Sequence, residues 1–292
     1  GLDVVLVETP ADHHEKFCVL ALEAGINVFS DIPSVASLEE ADMLWRTNQD
    51  SKAMFMTGAN PNFWGFVGEM AKLHEDGMFG KPVYLEAEYI HDVQTLFDES
   101  PWRRTYPPIK YCTHSLGPLL RVLKEDLKYV SCFTTGSHIN NYPGQHDMMT
   151  AHFRTESGVV VRLTCSFVNN AHIGPHSYRL FGTDGYFERN GGRGECIKPT
   201  VLYSSNKNED PQAVIELPVD MMPPEYAGKP EAQGHGGADY AMLDAFFKAL
   251  INGEPSPVSL KEGLRMTIPG IFAAESAMCD GEVLEITYPW NK

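Results

Sequence analysis

Histidine is the residue in this sequence with the widest chemical scope, and most of its eleven copies fall in the second part of the chain. His13, His14 and His74 sit on or near helical stretches of the first part, where solvated or capping roles suffice. The others are His91, His114, His138, His146, His152, His172, His176 and His235. Strand geometry sorts them. His91 lies just past the end of a strand pattern, Pro82–Tyr89. A hairpin of 148–155 with 159–167, turning at Glu156-Ser157-Gly158, brings His146 near Val168, Asn169, Asn170 and His172. His114 stands at the start of a helix, three residues after Tyr111, a spacing that lets both face one pocket. Thr113 fits the N-cap position there. The positive end of a helix dipole favours neutral imidazole near pH 7, the form a general base requires. Each of these histidines also suits an ordinary hydrogen-bonded place in a fold.

The elements that must position them fall into two groups. Leu2–Val7, Ile26–Ser30 and Ala53–Thr57 are short apolar runs, separated by helical patterns at Ala11–Ala24 and Leu38–Asn48 and followed by another at Asn62–Leu73. Strand and helix alternating at this spacing predict a parallel sheet with crossover helices. The breaks after the strands place Thr9-Pro10, Asp31-Ile32-Pro33 and Gly58-Ala59-Asn60 at its carboxyl edge, where ligands of open α/β sheets bind. From about Gly80 the pattern changes. Strands are expected at Pro82–Tyr89, Tyr129–Thr135, Met148–Thr155, Val159–Phe167, Ser177–Phe181 and Tyr186–Glu188, with helices at Ser115–Leu123, Ala238–Ile251 and Leu260–Met278. Residues 203–230, rich in Pro, Asn and Glu, read as a long surface loop, and Gly191-Gly192-Arg193-Gly194 reads as a turn. The expected fold class is α/β: a truncated Rossmann-like parallel sheet over residues 1–79, then an α+β domain with a large, mostly antiparallel sheet over 80–292.

Composition bounds the function. Of 292 residues 43% are hydrophobic and 21% charged, which is globular. A formal charge of -16 argues against nucleic acid and anionic membranes as partners, since both reward a basic surface. No apolar run approaches the roughly 20 residues of a spanning helix. The six Cys form no CxxC pair, which points to reduced thiols and a cytoplasmic protein, or a periplasmic one if a signal peptide was removed. The chain starts with Gly and enters a buried-strand pattern at once, so the expectation is of a chain cut short.

Certain blocks carry a resemblance. Asp3–Pro10, His14 and Gly25-Ile26-Asn27-Val28 resemble the middle of the nucleotide-binding domain of the glucose-fructose oxidoreductase / inositol dehydrogenase (Gfo/Idh/MocA) superfamily. In ordinary dehydrogenases of that superfamily the next strand ends in Glu-Lys-Pro, and the lysine assists hydride transfer; here the triplet is Asp31-Ile32-Pro33. Glu88-Tyr89-Ile90-His91-Asp92, Trp102-Arg103, Tyr111-Cys112-Thr113-His114-Ser115-Leu116-Gly117-Pro118 and Gly234-His235-Gly236-Gly237-Ala238-Asp239-Tyr240 resemble the branch of NAD-dependent glycosidases typified by α-N-acetylgalactosaminidases. That branch also has an aliphatic residue in place of the lysine. Cys112 and Ser115 replace the small and proline residues common there, which leaves the sugar open.

The resemblance implies a carbohydrate substrate cleaved by oxidation at C3, removal of the C2 proton, elimination, addition of water and return of hydride. It implies Tyr111 and His114 as the proton-transfer pair. It implies His91 and Arg103 as binders of substrate hydroxyls, with Lys110, Asn170, His176, His235 and Tyr240 as further substrate-side candidates. Thr9, Pro10, His14, Asp31, Pro33 and Asn60 become the cofactor-side candidates. NAD is the implied cofactor if an upstream phosphate-binding segment exists, because no glycine-rich turn precedes Leu2. Otherwise a divalent metal on His91, His114 and His146 would suit a keto-sugar lyase or hydratase. An NAD(P)-dependent sugar dehydrogenase and a non-catalytic sugar-binding module are the remaining readings, and Ile32 weighs against the dehydrogenase. The superfamily's antiparallel sheet meets another subunit through its open face, so a homodimer or homotetramer is expected, with apolar surface as the reason.

Overall fold

The computed structural model describes residues 1–170, 175–190 and 199–291, so His172 and Gly191–Gly194 lie outside the described residues. The first sheet has three parallel strands, β1 (Val4–Val7), β2 (Asn27–Ser30) and β3 (Phe55–Thr57), in that order. Helices α1 (His14–Glu23) and α2 (Leu38–Asp50) are the crossovers. Ser37 caps α2 by accepting from the Glu40 N–H, so that helix begins where its first acidic turn suits the dipole. Helix α3 (Gly65–Glu75) leads to the second sheet.

Gly80, in the left-handed region at φ 66°, turns the chain into β4 (Pro82–Ile90). A Cβ there would lie 2.2 Å from Thr183 Oγ1, so glycine is required twice over. Then come α4 (Thr113–Leu120), β5 (Leu127–Thr134), β6 (Met149–Thr155), β7 (Val160–Ser166), β8 (His176–Gly182), β9 (Gly185–Asn190), β10 (Thr200–Ser205) and β11 (Ile215–Glu216). Helices α5 (Ala238–Asn252) and α6 (Leu260–Met278) and a short β12 (Leu284–Glu285) close the chain. The second sheet has nine strands in the order β11-β10-β9-β8-β4-β7-β6-β5-β12. All its pairs are antiparallel except β4 with β7, which places the ends of β4 and β7 side by side.

Two features depart from the sequence expectations. Residues 203–230 are not a plain loop: they contain the second half of β10, all of β11 and a turn of 3-10 helix, and Leu217, Val219 and Met221 pack on the core. Short strands broken by Asn and Pro lack the alternation that marks longer ones. The C-terminal helices also return to the first sheet. Phe246 of α5 meets Phe29 (5.5 Å between centroids), Trp290 meets Trp45 (5.3 Å), and the Thr57 N–H donates to the Val258 carbonyl. One apolar core therefore runs from β1 to Tyr288.

The sheet's inner face buries Leu85, Ala87 and Tyr89 of β4. Its outer face is not apolar, contrary to expectation. Glu86 accepts from Tyr84 Oη (2.7 Å) and Arg162 Nε (3.0 Å) and pairs with Arg179; Arg162 Nη2 also reaches Glu88 (2.9 Å). Burial opposes ionisation of Glu86, but the Tyr84 hydrogen bond and the two guanidinium groups outweigh it and hold the carboxyl below its usual range.

Candidate active site

The ends of β4, β8 and α4 meet on the inner side of the large sheet, beside the carboxyl edge of the small one. Tyr89, near the end of β4, is the hub. Its ring centroid lies 5.7 Å from that of His91, 5.9 Å from Tyr111, 5.3 Å from His114 and 5.1 Å from His176. His91 follows Tyr89 by two residues, so both point to one side, and their Nδ1 and Oη lie 3.1 Å apart. Tyr111 and His114 pack edge to face at 5.1 Å, across the junction of a 3-10 turn (Pro108–Tyr111) with α4. The turn reaches this place because Gly270 of α6 lets it approach: a Cβ there would lie 2.6 Å from the Ile109 carbonyl and 2.7 Å from Cys112 Sγ. Tyr178 Oη donates to the His114 carbonyl (2.7 Å) and pins the first turn of α4. The expected cap fails: Thr113 is the first helical residue, Cys112 holds the N-cap position, and no side chain caps the helix.

Burial dominates the electrostatics. Tyr111 and His114 are 6% and 8% exposed. Burial pushes the Tyr111 phenol up to about 12, with the Asp31 carboxylate adding to it and Arg103 opposing. Burial, reinforced by His235, His91 and Arg103, pushes His114 down to about 3. Burial likewise pushes His176 well below the usual histidine range. His114 is therefore neutral at pH 7 through desolvation, a stronger cause than a helix dipole. Nδ1 of His114 and Nδ1 of His176 are buried with no hydrogen-bond partner among the described residues. Arg103 lies over the rings of Trp102 (4.5 Å) and Tyr111 (5.4 Å), a cation close to the phenol.

A second cluster closes the site from α5. His235 Nδ1 contacts Asp239 Oδ2 at 2.8 Å, and Asn60 Nδ2 donates to Asp239 Oδ1 at 2.9 Å. Asn60 belongs to the carboxyl edge of the small sheet, just past β3, so this chain of contacts joins the two sides of the site.

The fold brings together Tyr111, His114, His91, Arg103, His176 and His235 from the sequence candidates. It does not bring others. His146 contacts Thr134 Oγ1 (2.8 Å) between β5 and β6, and no cluster of three metal-ligating side chains occurs among the described residues, so the triad of His91, His114 and His146 is not assembled. Tyr240 packs against Tyr226 (5.5 Å) in a separate apolar cluster, because it is one residue round the helix from Asp239. Lys110 is not free: its ammonium donates to the Ala36 carbonyl (3.1 Å), and burial lowers its pKa. Asn170 is exposed and makes no side-chain hydrogen bond among the described residues. Tyr89, Trp64 and Asp239 were not singled out from the sequence. Tyr89 is two residues before His91 and Asp239 four after His235, spacings that put each beside its partner on a strand or helix.

On the cofactor side, Thr9, Asp31 and Asn60 line the carboxyl edge, with Pro10 and Pro33 shaping their turns. Thr9 Oγ1, Ser34 Oγ and Asn60 Oδ1 are buried there without a partner among the described residues, which fits the hydroxyl and amide groups of a dinucleotide. Burial raises the Asp31 carboxyl, countered by the Ile32 N–H. His14 packs among the turns of that edge. It is 1% exposed, and its ring bridges the Thr9 carbonyl (2.5 Å) and the Pro33 carbonyl (2.8 Å), so it ties two of the turns together from behind.

A parallel nucleotide-type sheet, a nine-stranded sheet beside it and a cluster of aromatic and histidine side chains where they meet define the class: an oxidoreductase fold. Residues 1–59 match the family described as the oxidoreductase family with NAD-binding Rossmann fold, and residues 67–188 match the GFO/IDH/MocA C-terminal domain. The chain belongs to the Gfo/Idh/MocA family. Among its curated relatives, a glycosyl hydrolase family 109 protein of Bacteroides fragilis is 24% identical over 87% of this chain and 62% of its own length. An alpha-N-acetylgalactosaminidase of Shewanella oneidensis is 23% identical over 94% of this chain and 66% of its own length. The chain thus spans somewhat under two thirds of these relatives. Levoglucosan dehydrogenase in complex with NADH superposes with a TM-score of 0.80 at 18% identity, covering 98% of this chain and 80% of its own. An inositol dehydrogenase homolog from Azotobacter vinelandii, complexed with NADH and myo-inositol, gives 0.76 at 18% identity, covering 98% and 78%. No helix among the described residues is long and apolar enough to cross a membrane.

Proposed function

We propose that this chain belongs to an NAD-dependent glycosidase, which cleaves a glycoside by oxidation at C3 and proton abstraction at C2. The observation that carries the reading is the buried Tyr111–His114 pair facing a cofactor edge at which Ile32, 3% exposed, stands where a dehydrogenase presents lysine. Thr9, Asp31, Ser34 and Asn60 would hold the nicotinamide end of the dinucleotide. NAD, when bound, supplies a reversible hydride acceptor for C3.

The protein's own residues divide the rest of the work. His91 and Arg103 orient the sugar hydroxyls over the Tyr89 ring. Neutral His114 accepts a proton, and Tyr111, held as the phenol, donates a hydrogen bond to the developing enolate oxygen. An imidazole pushed down to about 3 is a weak base in the resting site. Anionic charge developing beside it favours its protonated form and restores basicity when the proton moves. The Arg103 guanidinium over the Tyr111 ring assists the phenol in the same way. The names of the two curated relatives support a glycoside as substrate; the sugar stays open at this level of identity.

The test is a glycoside deuterated at C3, given to the protein with NAD. Hydride transfer at C3 predicts slower cleavage than with the protiated sugar. Equal rates, together with no loss of rate in the absence of NAD, would point to an ordinary hydrolase.

A further inference from the structure

The candidate site opens among loops that the proposed chemistry leaves without a role. Register fixes where they lie. Met149, the first residue of β6, pairs with Cys165 of β7, and Cys165 pairs with Tyr89 of β4. The loop 135–148 that joins β5 to β6 therefore leaves the sheet at the same end as the segment 91–107, which follows β4 and carries His91 and Arg103. The two segments meet. Asn140 Nδ2 donates to Gln94 Oε1 (2.7 Å), Arg104 lies over the Tyr142 ring (5.2 Å), and a Cβ at Gly144 would lie 3.6 Å from Thr105 Cγ2. Arg104 follows Arg103 on the turn Pro101–Arg104, so one turn reaches both the Tyr111 ring and the Tyr142 ring.

Buried polar groups hold the loop in shape. Asp147 is 4% exposed, and its Oδ2 accepts from the His138 and Ile139 N–H groups (2.5 and 2.9 Å). Its carbonyl accepts from Ser166 Oγ at the end of β7 (2.5 Å). Buried Gln145 accepts from Asn140 Nδ2 (3.0 Å) and from Ser137 Oγ (3.5 Å), and Ser137 Oγ accepts from the Tyr142 N–H (3.0 Å). Gln94 Nε2 donates to Asp92 Oδ1 (3.0 Å). A line of hydrogen bonds thus runs from the residue after His91 to the backbone of Tyr142. A loop ordered in advance loses little entropy when a ligand binds.

What the loop presents is an aromatic ring among unused polar groups. Tyr142, Ile139 and, on the facing segment, Leu96 are 41%, 49% and 42% exposed. Asn140 and Asn141 are exposed as well. Asn140 Oδ1, the Asn141 amide and the Tyr142 hydroxyl make no hydrogen bond among the described residues. An open aromatic ring takes the C–H face of a pyranose, and side-chain amides donate to and accept from its hydroxyls. Arg104 is matched by Asp98 (3.5 Å), so the patch suits a neutral polyol better than a phosphate or carboxylate.

We propose that this loop is a second carbohydrate subsite, with Tyr142 as its platform and Asn140, Asn141 and Arg104 around it, which takes the sugar unit on the aglycone side of the bond to be cleaved. The assignment rests on the glycosidase reading above. The reacting sugar lies over Tyr89 with His91 and Arg103, and its neighbour reaches Tyr142 past the Arg103–Arg104 turn. The substrate is then an oligosaccharide, and the contacts of its second unit help to hold the first against the Tyr111–His114 pair.

The test compares wild type, Tyr142→Ala and Tyr142→Phe, each with NAD. The probes are glucose, galactose and their 2-acetamido derivatives, in both anomeric forms, as methyl glycosides and as disaccharides joined to galactose. For a disaccharide that wild type cleaves, Tyr142→Ala should lower kcat/KM about tenfold or more, chiefly through KM, while the methyl glycoside of the same sugar keeps its wild-type value. Tyr142→Phe, which retains the ring, should keep most of the wild-type rate on both. An equal effect of Tyr142→Ala on disaccharide and methyl glycoside would overturn the subsite, and so would a loss in Tyr142→Phe as large as that in Tyr142→Ala. A change of molecular size in Tyr142→Ala by light scattering would overturn it too, because the ring would then belong to a contact between copies of the chain. If wild type cleaves none of the probes, the same pairs are compared by calorimetric titration. A disaccharide that binds more tightly than its methyl glycoside, and loses that advantage in Tyr142→Ala, upholds the subsite while the glycosidase reading fails. Equal affinities overturn the subsite as well.

Discussion

Replacing His114 with glutamine should flatten the acid side of the stability profile. In the folded protein His114 is held down to about 3 by burial and by the neighbouring His235, His91 and Arg103. In the unfolded chain it returns to about 6.5. The folded value is the lower one, so the unfolded state binds more protons throughout the window between them. Stability is therefore full above about pH 6.5 and is lost as pH falls toward 3. At about 1.4 kcal/mol per pKa unit, the loss from this one group between pH 7 and pH 5 is about 2 kcal/mol. His176 acts in the same direction and stays in the variant. The assay is urea unfolding of wild type and variant at pH 7 and pH 5. The quantity read is the change between the two pH values, which removes any general destabilisation caused by the substitution. Wild type should lose about 2 kcal/mol more than the variant over that interval. Equal losses would show that His114 titrates normally in the fold. The desolvated site inferred from its burial would then be wrong.

Other expectations follow from the same geometry. Tyr111→Phe and His114→Ala should each lower glycoside turnover about a hundredfold or more while circular dichroism shows the fold retained; a loss of under threefold would remove that residue from the chemistry. Gly270→Ala should destabilise by about 1–3 kcal/mol, because the added methyl meets the Ile109 carbonyl and Cys112 of the turn that carries Tyr111. Its melting curve checks this, and an unchanged Tm would show that the turn is looser than described. The open face of the large sheet, with Arg162, Arg179, Tyr84, Phe181 and Tyr186, is rich in the residue types favoured at interfaces, so light scattering should give a homodimer or homotetramer. A monomer at micromolar concentration would contradict that.

The parallel sheet, the long strands of the second sheet and both C-terminal helices were legible because each carries an undisturbed period of hydrophobic residues. Leu260–Met278 was read with the bounds the structure gives. The carboxyl-edge turns and the Tyr111–His114 spacing were legible for the same reason: breaks and short-range spacing are local. What the sequence withheld depends on contacts between distant segments. Lys110 is taken up by Ala36, 74 residues away, and Asn60 by Asp239 across 179 residues. The ring of His14 lies between the Thr9 and Pro33 carbonyls, the latter 19 residues away. His146 was placed by its hairpin, but its side chain faces Thr134. Tyr240 and Asp239 are neighbours in sequence, and the helical rotation between them decides which one reaches the site. The neutral imidazole expected of His114 was read from a helix dipole, whereas burial among distant segments is what holds it neutral.

The central claim is that glycoside cleavage passes through loss of the C2 hydrogen. The most direct measurement is cleavage in D2O with NAD present, using a set of 4-nitrophenyl glycosides that includes the α-N-acetylgalactosaminide, with mass and NMR analysis of the released sugar. The account predicts deuterium at C2 of the product and no net reduction of NAD. A product that keeps its full C2 hydrogen, or a C3-oxidised sugar released with an equivalent of NADH, would contradict it.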